Sequence, residues 1–515
     1  MERQWSQQQE RAFRWFSKDK DFFRMLRDDG IINIDVDSHL IVRARAGTGK
    51  TTVIIEGVKR APEKSMLICA FSKIIQTELE TRIGKDHPNV KAQTLHSVGY
   101  GCVRRFRENI RVEFNSSRAD ALTEAVCGRT APDTIKRLVS KLHTKGREIA
   151  PHANQEGDLL DIAIRFECEP DEQWAKSGFP LEKVEHFALQ AMELAANVQS
   201  GATIDGSDMI FLPVRNHWLQ CQYGLVVVDE CQDLTTAQLE IAQGVLNPGG
   251  RICIVGDDRQ AIFGFRGADS ESLDRLKREL NAGELGLTTT YRCGREIVDL
   301  AQQLVPDFEA GEDNSDGDVY SIHSSELVGA AGPGDYILSR VNAPLVSIAM
   351  RLLRSGKRTR IAGRDIGKGL ITLVRKMRGC SVPDFLQKVA SWEDRELSRL
   401  RGMRDKAEKG RKATIENKLS DIVDQAEMLV NLAEGAKSIT EIEERIEGLF
   451  SDDGLGTAGM ITCSSIHKAK GLEADRVFIL EDTLRNHNIE EINLRYVAIT
   501  RTKQTLVFVS DRVKD

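Results

Sequence analysis

Short apolar runs alternate with stretches of helical spacing along most of this chain. Leu40-Ile41-Val42, Met66–Phe71 and Val90–Leu95 are compact apolar segments that read as strands buried in a parallel sheet. After each comes a stretch with apolar residues three and four apart, the spacing of an amphipathic helix. The alternation resumes at Tyr223–Asp229 and Arg251–Val255, runs on through Thr288–Arg292, Tyr336–Leu338 and Arg358–Ile361, and closes with Met460–Ser464, Arg476–Leu480 and Thr505–Val509. Ser6 and Ser72 stand at predicted helix starts, where a hydroxyl accepts from the orphan N–H groups of the first turn. Apolar strands alternating with helices predict an α/β protein with open, mostly parallel sheets.

Two tracts break the alternation. Residues 98–220 carry helical periodicity interrupted at Ala131-Pro132, Ala150-Pro151 and Gly178-Phe179-Pro180, and read as an inserted helical subdomain. Residues 371–450 read as a second one. There Phe385, Val389 and Trp392, then Ile415, Leu419, Ile422, Ala426 and Leu429, recur at helical spacing on either side of Gly410, predicting an αα-hairpin. The acidic, glycine-rich residues 307–335 are expected to form a surface connection. The expected organisation is one α/β domain from 1–97 and 221–283, interrupted by 98–220. A second follows from 284–370 and 451–515, interrupted by 371–450.

Composition narrows the class. The chain has 515 residues, 41% hydrophobic and 29% charged, with a net charge of −6. No apolar run reaches membrane-spanning length, and the first residues are polar and charged, so a cytoplasmic protein with no membrane partner is expected. Ten cysteines are scattered with no C-x-x-C pair, which favours reduced thiols and argues against a zinc ribbon or an iron–sulfur cluster. The slight acidity provides no global attraction for nucleic acid, so any such surface is a local one.

Three segments carry chemistry. Ala44-Arg-Ala-Gly-Thr-Gly-Lys-Thr-Thr52 lies between a strand and a helix. Gly47 and Gly49 allow the tight turn of a phosphate-binding loop, Lys50 reaches the β- and γ-phosphates, and the Thr51 hydroxyl suits Mg²⁺. Val226-Val-Val-Asp229-Glu230-Cys-Gln232-Asp233 ends an apolar strand in carboxylates: Asp229 to hold Mg²⁺, Glu230 to take a proton from an attacking water. Val255-Gly-Asp257-Asp258-Arg-Gln260-Ala-Ile-Phe263-Gly-Phe265-Arg266-Gly267-Ala268 offers Gln260 as a γ-phosphate sensor, with Phe263 and Phe265 as platforms on which single-stranded bases stack.

With these motifs in this order the chain resembles the superfamily 1 helicases of the UvrD/Rep/PcrA group. Gln9 matches the Q motif and Ala46–Thr52 motif I. Phe71-Ser-Lys with Glu78 and Arg82 resembles motif Ia, and Thr94-Leu-His96-Ser97 motif Ib. Asp229–Asp233 matches motif II, Gly256–Ala268 motif III, Thr290-Tyr291-Arg292 motif IV, Ser465–Glu473 motif V and Glu491–Arg501 motif VI. The resemblance implies two tandem RecA-like P-loop domains, each with an inserted helical subdomain. ATP is implied at Gln9, Ala46, Gly47, Thr48, Gly49, Lys50, Thr51, Thr52, Tyr291 and Glu473. Gln9 would read the adenine, Tyr291 would stack on it, and Glu473 would touch the ribose. Lys50, Gln260, Arg292 and Arg501 would surround the γ-phosphate, with Mg²⁺ on Thr51 and Asp229. Phe71, Thr94, His96, Phe263, Phe265 and His467 would line the DNA track. Thr52 stands where the family often has arginine.

The implied activity is an ATP-dependent DNA helicase and translocase, moving 3′→5′ on single strands. Arg292 and Arg501 belong to the second sheet block and the phosphate loop to the first, so an ATP bound between closed blocks would be bridged and released by hydrolysis. Two other readings are an ATPase that translocates or strips proteins without unwinding, and a nucleotide switch subunit of a repair or defence complex. Expected partners are single-stranded DNA, duplex junctions, and proteins of repair, replication or defence. The predicted hairpin tip near 399–412 gathers Arg399, Arg401, Arg404, Lys406, Lys409, Arg411 and Lys412, a surface expected to touch DNA phosphates.

Overall fold

The computed structural model describes residues 5–28, 34–106, 113–128, 131–166, 168–170, 172–198, 203–262, 272–377, 379–405, 409–450, 459–485 and 488–511. The chain divides into two units, Met1–Arg45 with Gly49–Leu287, and Ala46–Thr48 with Thr288–Asp515.

The first unit is built on six parallel strands: β1 (Leu40–Ala44), β2 (Met66–Ala70), β3 (Val90–Thr94), β4 (Tyr223–Val228), β5 (Leu246–Gly256) and β6 (Gly283–Leu287). Their order across the sheet is β3-β2-β4-β5-β1-β6. Alternate residues of the central strands go to opposite faces, and both faces are covered. Val42, Ile68, Val227 and Val255 join one core, while Ile41, Leu67, Val226 and Ile254 join the other. That is why these strands read as continuous apolar runs. β6 was not legible: Gly-Glu-Leu-Gly-Leu carries two glycines and a charge. It pairs with β1 from Leu40 opposite Gly283 to Ala44 opposite Leu287. The first unit therefore runs past residue 283, the boundary read from the sequence.

Among the described residues between β3 and β4 come seven helices, from Leu95–Phe106 to Gly206–Arg215, with a two-residue strand pair, Glu113–Phe114 with Thr203–Ile204. Periodicity alone predicted helix throughout. This region has its own core, including Ile135, Val139, Leu142, Val184, Met192, Phe211 and Trp218. Inside it Arg147, fully buried, holds Asp205 at 2.9 Å and Asp208 at 2.7 Å, and Arg118 also pairs with Asp208.

The second unit carries another parallel sheet: β7 (Asp318–His323), β8 (Tyr336–Ser339), β9 (Thr359–Ile361), β10 (Ile461–Ser465), β11 (Ala474–Leu480) and β12 (Thr502–Ser510). The order is β7-β12-β11-β8-β10-β9. β7 corrects the expectation of a bare surface connection over 307–335. It is an edge strand, paired on one side only, with Asp318, Tyr320 and Ser321 exposed, so it lacks the apolar run of a central strand.

The helices Val382–Asp405 and Lys409–Ala433 pack on each other as a hairpin. Gly410 does not separate them; it lies in the first turn of the second helix. Of the expected basic tip, Arg399 pairs with Glu396 at 2.7 Å and Arg401 is exposed; Lys406 falls outside the described residues, as do the side chains of Lys409, Arg411 and Lys412. Among the described residues the hairpin has no core of its own. Phe385, Val389, Leu429 and Leu432 belong to the same buried cluster as Ile337, Val346, Phe478 and Val507 of the sheet domain.

Candidate active site

The sheet of the first unit presents its carboxyl ends together, where ligands bind in open α/β sheets. β1 leads into the glycine loop. Gly47 at φ +70° and Gly49 at φ +83° take the left-handed conformation that other residues avoid. Gly49 is the N-cap of the helix Lys50–Arg60 and has no side chain with which to cap it. Its first N–H groups and the positive end of its dipole are thereby available to an anion.

β4 ends in Asp229 and Glu230. Glu230 has a left-handed backbone, φ +51° and ψ +43°, unusual for a non-glycine residue. Its N–H donates to Asp229 Oδ1 at 2.9 Å, and its carboxylate lies 3.3 Å from Lys50 Nζ. Gln232 Nε2 donates to the other Glu230 oxygen. Asp229 is buried; burial and the adjacent Glu230 push its carboxyl up to about 7. An anion held at that expense is suited to a cation ligand. Burial works to depress the Lys50 ammonium, but Glu230, Asp257 and Asp229 outweigh it and raise it.

β5 delivers Gln260, buried, whose Nε2 donates to Asp257 Oδ2 at 2.7 Å. Asp257 is fully buried, and burial raises its carboxyl despite Lys50 and Arg45 nearby. Gln9, also buried, forms a reciprocal cap with Ser6: its N–H donates to Ser6 Oγ and its Oε1 accepts from Ser6 N, both at 3.2 Å. A Cβ on Gly49 would come within 3.2 Å of Gln9 Nε2, so this side chain abuts the phosphate loop. Thr51 and Thr52 occupy the first turn after Lys50, and Arg82 Nη2 donates to Thr52 Oγ1 at 3.2 Å. Ala46 and Thr48 are buried.

A second cluster lies in the second unit. Arg292 Nε is 2.6 Å from Glu473 Oε2, and Lys503 Nζ is 2.9 Å from Glu473 Oε1. Burial would raise the Glu473 carboxyl, but Lys503 and Arg292 hold it below the ordinary range. Arg501 is buried, its guanidinium donating to Val497 O at 3.0 Å, Leu472 O at 3.2 Å and Thr500 Oγ1 at 3.3 Å. Arg292 Nη1 reaches Thr500 O at 3.3 Å, so both arginines converge on Thr500. Tyr291 is 48% exposed, open to a stacking partner.

Of the residues expected on a DNA track, Phe71 and Thr94 stand at the carboxyl ends of neighbouring strands, Ala70 pairing with Thr94. Phe71 is 38% exposed, and His96 is exposed. Thr94 Oγ1 accepts from Ser97 N at 3.2 Å, starting the helix Leu95–Phe106. His467 lies half-buried in the short helix after β10, in the second unit. Phe263 and Phe265 lie outside the described residues.

Sequence reasoning gave no role to Arg45, Gln232, Asp257 or Lys503. Gln232 and Asp257 sit inside motifs that were visible. Arg45 also sits inside the glycine-loop segment, but nothing local marks its role, its carboxylate partners being 212 and 213 residues away.

A glycine loop between strand and helix, a helix start with glycine at its N-cap, a lysine on a carboxylate and a buried aspartate at the next strand ends define the P-loop nucleotide-binding class. The UvrD/REP helicase N-terminal domain family matches residues 29–281, and the UvrD-like helicase C-terminal domain family matches residues 460–509. The chain belongs to the UvrD-like helicases of superfamily 1. It is 24% identical over 304 residues to a probable DNA helicase II homolog of Mycoplasma pneumoniae, covering 54% of this chain and 41% of that protein. It is 24% identical over 524 residues to F-box DNA helicase protein 1 of Schizosaccharomyces pombe, covering 91% of this chain and 55% of that protein. With the ATP-dependent DNA helicase Rep of Salmonella typhimurium it shares 25% identity over 292 residues, 52% of this chain and 40% of that protein. The chain thus spans about half the length of these relatives.

Among the described residues no helix is long and apolar enough to cross a membrane. All ten cysteines are unpaired thiols, eight of them buried.

Proposed function

We propose that this chain is an ATP-dependent DNA helicase and translocase that moves 3′→5′ on single-stranded DNA. The observation that carries the reading is the Lys50–Glu230 contact at 3.3 Å beside buried Asp229, at the start of a helix whose N-cap is Gly49. This is a phosphate cradle with a base at hand. In the proposed reaction the loop N–H groups and Lys50 bind the ATP phosphates, and Glu230 takes the proton from the attacking water. Gln260 orients that water or the γ-phosphate. Mg²⁺, which Asp229 and Thr51 would hold, supplies neutralising charge. Arg292 and Arg501 are assigned the charge that develops on the transferred phosphate, and guanidinium suits that task. Gln9 and Tyr291 are assigned to the base, and Glu473 to the ribose.

For the DNA we assign Phe71, Thr94, His96 and His467, with Phe263 and Phe265 as stacking platforms. We assign 98–220 and 371–450 as subdomains inserted in two RecA-like domains. The setting we propose is cytoplasmic, at single strands and duplex junctions, in DNA repair, replication or defence.

Strand displacement tests the reading. A duplex with a 3′ single-stranded tail should be opened with ATP and Mg²⁺, and one with a 5′ tail should not. Hydrolysis without displacement on either substrate would favour a translocase that does not unwind.

A further inference from the structure

The parallel register of the first sheet brings two distant segments to one edge. β1 pairs with β5 from Leu40 opposite Cys253 to Arg43 opposite Gly256. The residues that follow each strand, Arg45 on one and Asp257-Asp258 on the other, therefore emerge side by side. Arg45 Nη1 is 2.9 Å from Asp257 Oδ1 and 2.8 Å from Asp258 Oδ1. Arg45 is 5% exposed and Asp257 0%. Arg43 supplies a second guanidinium, 3.0 Å from the same Asp258 oxygen and 2.9 Å from Glu284.

The network continues into the site. The second oxygen of Asp257 accepts from Gln260 Nε2 at 2.7 Å, and Asp257 N–H donates to Gln232 Oε1 at 3.1 Å. Gln232 in turn donates to Glu230. Gly256 leaves room for this: a Cβ there would lie 2.7 Å from Gln232 Oε1. One bonded path thus leads from the phosphate loop, at Arg45, through Asp257 to Gln260. Without Arg45 the two adjacent carboxylates would lose the guanidinium that bonds both: Arg43 would remain on Asp258 and the charge of Lys50 near Asp257, but buried Asp257 would lose the guanidinium's hydrogen bond to its Oδ1. A planar guanidinium bonds both carboxylates at once, and an ammonium does so less well.

We propose that Arg45 is a positioning residue for ATP hydrolysis, fixing Gln260 through Asp257 so that loop and sensor are held as one body. The inference rests on the ATPase reading above. The test uses the full chain with Arg45→Ala, Arg45→Lys, Asp257→Asn, Gln260→Ala and the double variant Arg45→Ala/Gln260→Ala, measuring DNA-stimulated kcat, KM and the affinity for ADP. Arg45→Ala should lower kcat by about 10- to 100-fold while ADP affinity stays within about threefold, since the network aligns a catalytic group rather than binding the nucleotide. The double variant should be no worse than the weaker single one within about threefold, because both changes remove the same alignment. Arg45→Lys should restore part of the rate. Where Arg45→Ala does not fold, Arg45→Lys and Asp257→Asn, each also combined with Gln260→Ala, give the same comparison. Losses that multiply, or a normal kcat in Arg45→Ala, would overturn the proposal while the ATPase reading stands. A wild-type chain inactive with DNA would overturn both.

Discussion

Replacing Asp424 by alanine should loosen the helical hairpin from the second unit. Asp424 lies midway along the helix Lys409–Ala433 and is buried. Its carboxylate accepts from Asn342 N at 2.9 Å, Asn342 Nδ2 at 3.2 Å and Ala343 N at 2.5 Å. These groups begin the helix Ala343–Arg354, whose own N-cap, Asn342, makes no side-chain cap bond. A carboxylate from the hairpin therefore does the capping, with its charge on the positive end of the helix. Loss of an N-cap costs about 0.5–2 kcal/mol. Loss of a charge at a helix start costs about 0.3–2 kcal/mol. A buried donor left unpaired costs about 1–3 kcal/mol. The three overlap, so the combined loss should be about 3 kcal/mol. For a unit of this size that lowers Tm by about 6–12 °C. Asp424→Asn keeps an acceptor and loses the charge, and should cost about 1 kcal/mol. Scanning calorimetry measures both, and hydrogen exchange across 382–433 should rise in the alanine variant. A Tm unchanged by Asp424→Ala would refute the reasoning that this carboxylate bolts the hairpin to the sheet domain.

Other expectations follow from the sites. Lys50→Ala should abolish ATP hydrolysis because the loop loses its lysine, and Glu230→Gln should keep nucleotide binding and lose turnover; binding and turnover measured together separate the two. Arg292→Ala and Arg501→Ala should slow hydrolysis by roughly 10³–10⁵ with binding largely kept; Arg501→Ala should also lower Tm, since its buried guanidinium bonds Val497 O and Leu472 O. His143 should make the first unit acid-sensitive. Burial, then the charge of Arg147, push its imidazole down to about 3. The unfolded chain takes up the proton first, so stability is complete above pH about 6.5 and is lost as pH falls toward 3, by up to about 1.4 kcal/mol per pH unit. His143→Gln should flatten that slope in acid denaturation series.

Much of the fold was legible because strands buried on both faces announce themselves as apolar runs: Val226–Val228 could be little else. Helix starts at Ser6 and Ser72 were legible from local chemistry, and both hydroxyls accept from the N–H three residues on. What escaped was tertiary. β6 and β7 are edge strands with mixed faces, recognisable only by their neighbours. The chemical motifs around Lys50 and Glu230 are local in sequence and stood out. The arginine and carboxylate that connect them, Arg45 and Asp257, meet only because β1 inserts between β5 and β6. The hairpin was visible as two helices, but its dependence on the sheet domain turns on Asp424, an aspartate like any other in a helical stretch.

The central claim is that hydrolysis at Lys50 and Glu230 is coupled to DNA. Steady-state ATP turnover with and without single-stranded DNA tests it most directly, with Glu230→Gln as the control. The account predicts turnover that rises several-fold or more on adding single strands and vanishes in Glu230→Gln. Turnover indifferent to DNA, or surviving in Glu230→Gln, would contradict it.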